Sequence, residues 1–164
     1  MNIDSLLKWL EAFGFATAIR EGEVLFPWIE AIHVLAIVLV VGSIATVDLR
    51  LLGWASRERA VKVLAEEVLP ITWMAFVVAA ITGALMFCAK AMTYGHSVFF
   101  LLKMGVLLLA GCNMLYFQKV IYPGVRTWGA PGSTVPKAAR VAGGLSLLFW
   151  FFIVAFGRWI GFTT

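Results

Sequence analysis

Four apolar segments, at about 26–48, 69–89, 98–118 and 141–162, are each long enough to cross a bilayer, and they constrain the fold more than any other feature of this chain. A spanning helix needs about 20 mostly apolar residues. The first segment is interrupted only by Glu30 and His33, and the third only by Lys103. None shows the alternation of a barrel strand. Backbone groups in hydrocarbon must pair within their own segment, so the segments are expected to be helices. The fold class that follows is all-α, an integral membrane four-helix bundle forming a single domain over 1–164.

Composition supports this reading and narrows the function. Hydrophobic residues make up 62% of the chain and charged residues 13%, a balance outside that of an ordinary soluble domain. The 13 Lys and Arg are scattered between apolar runs and form no basic tract, so no nucleic-acid partner is expected. Cys88 and Cys112 have neither metal-site spacing nor a CxxC arrangement, which suits packed, reduced thiols. Residues 1–20 carry Asp4 and Glu11 and lack a basic start, so they do not read as a cleaved signal peptide.

Charge in the linkers sets an orientation. Arg50, Arg57, Arg59 and Lys62 follow the first span, and Lys119, Arg126, Lys137 and Arg140 follow the third. The positive-inside rule places these linkers in the cytoplasm and both termini outside, which in a bacterial inner membrane is the periplasmic side. Residues 4–14, with Asp4 as N-cap and Leu6, Leu7, Trp9, Leu10 and Phe13 on one face, are expected to form an amphipathic helix lying on that outer surface. KAMTYGHS reads as a tight hairpin connection. The Pro- and Gly-rich third linker reads as an irregular loop.

Helix rise then converts topology into depth. Glu30, His33, Lys103 and Arg158 all fall in the outer third of the bilayer. Ionisable groups there cost of order 2.5–3.5 kcal/mol each, so they are expected to face the bundle interior, a partner or a cofactor. Haem b suits this set: His33 as axial metal ligand, Lys103 and Arg158 against propionates, and Glu30 three residues from His33 on the same helix face. His96, just before the third span, is a candidate second ligand or an exposed loop histidine. The architectural alternative pairs Glu30 with Lys103 and lets the long cationic side chains reach the interface. Asp48 and Arg50 are expected to pair or to anchor the inner end of the first span. Asn113 is expected to hydrogen-bond across helices. Gly42, Ser43, Ala45, Gly83, Ala84, Gly143 and Gly144 suit close helix packing. Trp28, Trp54, Trp128 and Trp159 suit interfacial anchoring.

The segments IEAIHVLAIVLVVGSIATVDLRLLG, VFFLLKMGVLLLAGCNMLYF and GGLSLLFWFFIVAFGRWIGF resemble an uncharacterised family of small four-helix bacterial inner-membrane proteins, over nearly the whole chain. More distantly, the first-span histidine, a glycine about nine residues on, a basic residue past the inner end and the third-span lysine resemble the copper-resistance D proteins and the haem-binding, four-helix protoporphyrinogen oxidase. That likeness implies a functional pair at His33 and Lys103, with Arg50 as the basic residue. Asn113 stands where those oxidases carry a further histidine, so porphyrin oxidation is not implied.

Three functions are consistent with these observations. The first is a haem b-binding subunit carrying electrons between a periplasmic-side redox partner and the membrane. The second is a non-catalytic accessory subunit of a larger membrane complex, whose partners are the lipid bilayer and other membrane or periplasmic subunits. The third is copper or small-solute handling, which the dispersed methionines disfavour. None of the three requires that the chain be an enzyme.

Overall fold

The computed structural model describes residues 2–163, and among these there is no strand. Four helices are long and apolar enough to cross a membrane, and the chain is an all-α membrane bundle. The N-terminal region forms α1 (Ile3–Glu11) and α2 (Gly14–Glu21). The first long helix, α3 (Leu25–Leu52), is followed by α4 (Val61–Ala89), the short α5 (Ala91–Gly95) and α6 (Val98–Tyr116). A π turn (Phe117–Ile121), a 3-10 turn (Tyr122–Gly124) and α7 (Val125–Trp128) continue α6, and α8 (Lys137–Thr163) closes the bundle.

Local chemistry explains the ends. α3 stops at Gly53, which takes φ 74°, a left-handed conformation that costs glycine little. Its N–H donates to the Arg50 carbonyl at 3.1 Å and the Trp54 N–H to the Leu49 carbonyl at 2.9 Å, the paired bonds that satisfy the last turn of a helix. α6 begins where the Ser97 side chain accepts from the Phe100 N–H, an N-cap of the usual kind. α4 starts eight residues before the expected span and runs through Pro70. Its extra turns are amphipathic and carry the Lys62–Glu66 pair at 3.5 Å and the Arg59–Glu67 pair at 2.6 Å.

The long helices are arranged in the order α4, α3, α8, α6 around the bundle, and α4 and α6 scarcely meet. Val40, Ala75, Trp150 and Ile153 make the core where α3, α4 and α8 converge. A second core at the end carrying the basic linkers joins Leu51, Val61, Ile121, Val125, Val135, Ala139 and Ala142. Polar bonds tie the helices together. Thr72 Oγ1 donates to Ser43 Oγ at 2.7 Å between α4 and α3, and Asn113 Nδ2 donates to the Ala142 carbonyl at 2.9 Å between α6 and α8. The second is the interhelical bond expected of Asn113.

The N-terminal region differs from its expected form. Two helices replace the single one at 4–14, and Asp4 lies in the first turn of α1 instead of capping it. The reason is a set of contacts with α5, itself a helix and not the tight hairpin expected at that linker. Asp4 Oδ1 stands 3.3 Å from His96 Nε2, and Glu11 Oε1 accepts from the Met92 N–H at 2.8 Å. Leu7 is buried against Gly95. Ile3, Leu6, Trp9 and Phe13 stay exposed and form the apolar side available to lipid. The third linker is likewise partly helical, and Arg50 ties it to the first, Nε donating to the Arg59 carbonyl at 2.8 Å and Nη2 to the Ala130 carbonyl at 3.2 Å. Of the two roles expected of Asp48 and Arg50, to pair or to anchor the inner end of the span, the ion pair does not form among the described residues, since the guanidinium bonds backbone carbonyls.

Candidate intramembrane site

His33 lies eight residues into α3, roughly 12 Å along it at the standard helix rise. Its side chain turns toward α4, where Nδ1 is 3.0 Å from Thr82 Oγ1. Thr82 itself donates to the Val78 carbonyl at 2.7 Å. A hydroxyl has one proton to give, and with that proton directed to Val78 the oxygen is left to accept from His33 Nδ1–H. On that assignment the imidazole has its hydrogen on Nδ1 and its lone pair on Nε2.

Gly83 completes the seat. A β-carbon there would stand 3.0 Å from His33 Cε1 and 3.5 Å from Nδ1, closer than a packed ring tolerates. The sequence marks Gly83 as a packing glycine; what it packs against is the imidazole itself. Threonine and glycine at adjacent positions of α4 thus divide the work, one orienting the ring and the other making space for it.

Lys103 enters from α6, five residues past Val98. Its stem and ammonium lie against Gly157 of α8, where an added β-carbon would be 3.5 Å from Nζ. Among the described residues it makes no ion pair, and the expected partner Glu30 is exposed and does not reach it. The Lys103 charge instead acts electrostatically on His33. His33 and Lys103 are thus two ionisable groups of the spanning helices, each opposite a glycine on a neighbouring helix.

The other three candidates stand elsewhere. Glu30 is exposed, and its charge is felt by Tyr94. Burial first, and that charge second, push the Tyr94 phenol above its ordinary range. Arg158 is exposed, with its guanidinium 4.5 Å above the Phe162 ring, so its side chain runs along α8 and away from Lys103. His96 is exposed and has both nitrogens engaged, Nδ1 with the Met92 carbonyl at 2.9 Å and Nε2 with Asp4. Its position joins α1 to α5 and separates it from His33. Thr82 was legible only as a threonine in an apolar helix, and no spacing signal linked it to a histidine 49 residues earlier.

The fold and site define a multi-pass α-helical membrane protein with a histidine and a lysine packed against glycines of neighbouring helices. Over residues 7–163 the sequence matches the model of DUF6644, a family of unknown function, and the chain belongs to that family. No curated protein and no solved structure matches it significantly.

Proposed function

We propose that this protein is a haem b-binding subunit that passes electrons between a redox partner on the periplasmic side of a bacterial inner membrane and the membrane itself. The observation that carries the reading is the seat of His33. Its Nδ1 stands 3.0 Å from Thr82 Oγ1, and a hydrogen on Nδ1 donated there would leave the Nε2 lone pair for a metal, the arrangement common to metal-ligating histidines. His33 would hold the iron, and Lys103 would set its ammonium against a propionate.

Haem b, when bound, supplies reversible one-electron exchange. The protein's part is to orient His33 through Thr82, to supply positive charge through Lys103, and to limit water with the apolar helices around them. The residues present would offer such a group one nitrogen ligand, from His33, and one cation for a carboxylate, from Lys103. Arg158 and His96, engaged with Phe162 and Asp4, would serve such a group only after changing partners.

Protein purified after haem-sufficient expression tests this by its pyridine haemochrome. The expected result is close to one haem per chain in the wild type, with loss in His33→Ala and weakened retention in Lys103→Met. A haem-free wild type overturns the reading.

One observation favours the accessory-subunit alternative: no residue of α6 is buried. A helix so exposed offers an unusually large face to lipid or to a neighbouring membrane subunit. In that role His33→Ala would leave assembly of the parent complex intact. Copper handling has less support, since no group of three or more His, Cys, Asp or Glu side chains gathers among the described residues.

A further inference from the structure

The other half of the bundle holds a second feature. Toward the basic end, α3, α4, α6, α8 and the π turn enclose a cleft with a cavity of about 270 Å³, close to the lower end of small-molecule pockets. Its walls include the rings of Trp73, Phe76, Phe117, Tyr122 and Trp150. Asp48 also lines it, with only 6% of its surface exposed. Ser146 flanks the carboxyl, yet Asp48 Oδ2 has no hydrogen-bond partner among the described residues.

This carboxyl is unusual for what does not neutralise it. Arg50, two residues away, is committed to the Arg59 and Ala130 carbonyls, and among the described residues no Lys or Arg lines the cleft. Of the polar side chains on the wall, Thr72 is bonded to Ser43 and the Asn113 amide to the Ala142 carbonyl, while Ser146, Gln118 and the Tyr122 hydroxyl carry no cationic charge to offset the carboxylate. A buried charge without a partner is costly, and truly orphaned acceptors in native structures call for an explanation. Aromatic faces carry a negative quadrupole, so the five rings favour a cation beside the carboxylate and disfavour an anion.

We propose that the Asp48 cleft is a binding site for a hydrophobic organic monocation that enters from the bilayer. The carboxylate supplies the counter-charge, the aromatic rings receive the apolar body and the delocalised charge, and entry runs between α4 and α6, the long helices that scarcely meet. The π turn contributes by widening the helix where Phe117 faces the cleft. The site is independent of His33 and of any haem.

Equilibrium dialysis of the detergent-purified full chain against radiolabelled benzyltrimethylammonium tests this. The account expects saturable binding to one site, weakened at least tenfold in Asp48→Asn and unchanged in His33→Ala. Neopentylbenzene, with carbon in place of the charged nitrogen, should not compete. Gly111→Trp provides a second variant, since Gly111 lines the cleft and its β-carbon direction meets nothing within 4 Å; it should block the site with helical circular dichroism retained. No saturable binding by the wild type overturns the proposal. So does equal binding by either cleft variant, or competition by the hydrocarbon.

Discussion

At the scale of single residues, the account turns on how α4 seats the imidazole. Thr82→Val keeps the shape of the side chain but removes the acceptor for Nδ1–H. We expect a loss of about 1–2 kcal/mol in stability and, if His33 ligates haem, a ten- to hundredfold fall in haem affinity, measured by competition with apomyoglobin. Gly83→Ala should displace the ring directly, because the new methyl would meet Cε1 at 3.0 Å; a nitrogen-15 spectrum of the labelled histidine would register the change. Tyr94, outside the spans, gives a pH prediction. Its raised pKa in the folded state stabilises the fold below the unfolded phenol value, and this contribution is lost as pH rises through the folded value. The Tyr94→Phe difference spectrum should therefore place its phenolate above pH 10, near which an unperturbed phenol titrates. Glu30→Gln should lower it toward that value. Sequence alone marks His33 and Lys103, because an ionisable group inside an apolar run is visible there. It does not mark Thr82, whose pairing with His33 exists only once two helices are side by side.

At the scale of elements, the long helices were legible because length and apolarity are carried by every residue of a span, while their ends were less so. α4 begins at Val61 and not near residue 69 because its first turns are amphipathic, which lowers the mean apolarity without breaking the helix. The π turn after α6 and the two-helix N-terminal region depend on contacts with other elements and leave no periodic trace. Two predictions belong here. Gly53→Ala places a side chain at φ 74° at the end of α3 and should cost about 1 kcal/mol, read as a lower unfolding temperature in detergent. Glu11→Ala removes the acceptor for the Met92 N–H. Amide exchange should then accelerate across α1 and α5 and remain unchanged in the cores of α3 and α8.

At the scale of the whole molecule, the bundle divides into two polar regions of different character. Near the end that carries the termini, His33 and Lys103 face inward while Glu30 and Arg158 face outward. Helix rise gave the expectation of a common depth, but direction around each helix was not readable, since spans with apolar residues on every side give no strong facial signal. Near the basic end, Asp48 lies in an aromatic cleft. The orientation proposed from the linker charges has its own test in a background lacking Cys88 and Cys112. An impermeant maleimide should label Ser5→Cys in intact cells and Ser133→Cys only after permeabilisation. For the central claim, the most direct measurement is the reduced-minus-oxidised absorbance spectrum of the purified wild type beside His33→Ala and His96→Ala. The account predicts a b-type α band in the wild type that persists in His96→Ala and disappears in His33→Ala; a band surviving in His33→Ala, or no band in the wild type, would contradict it.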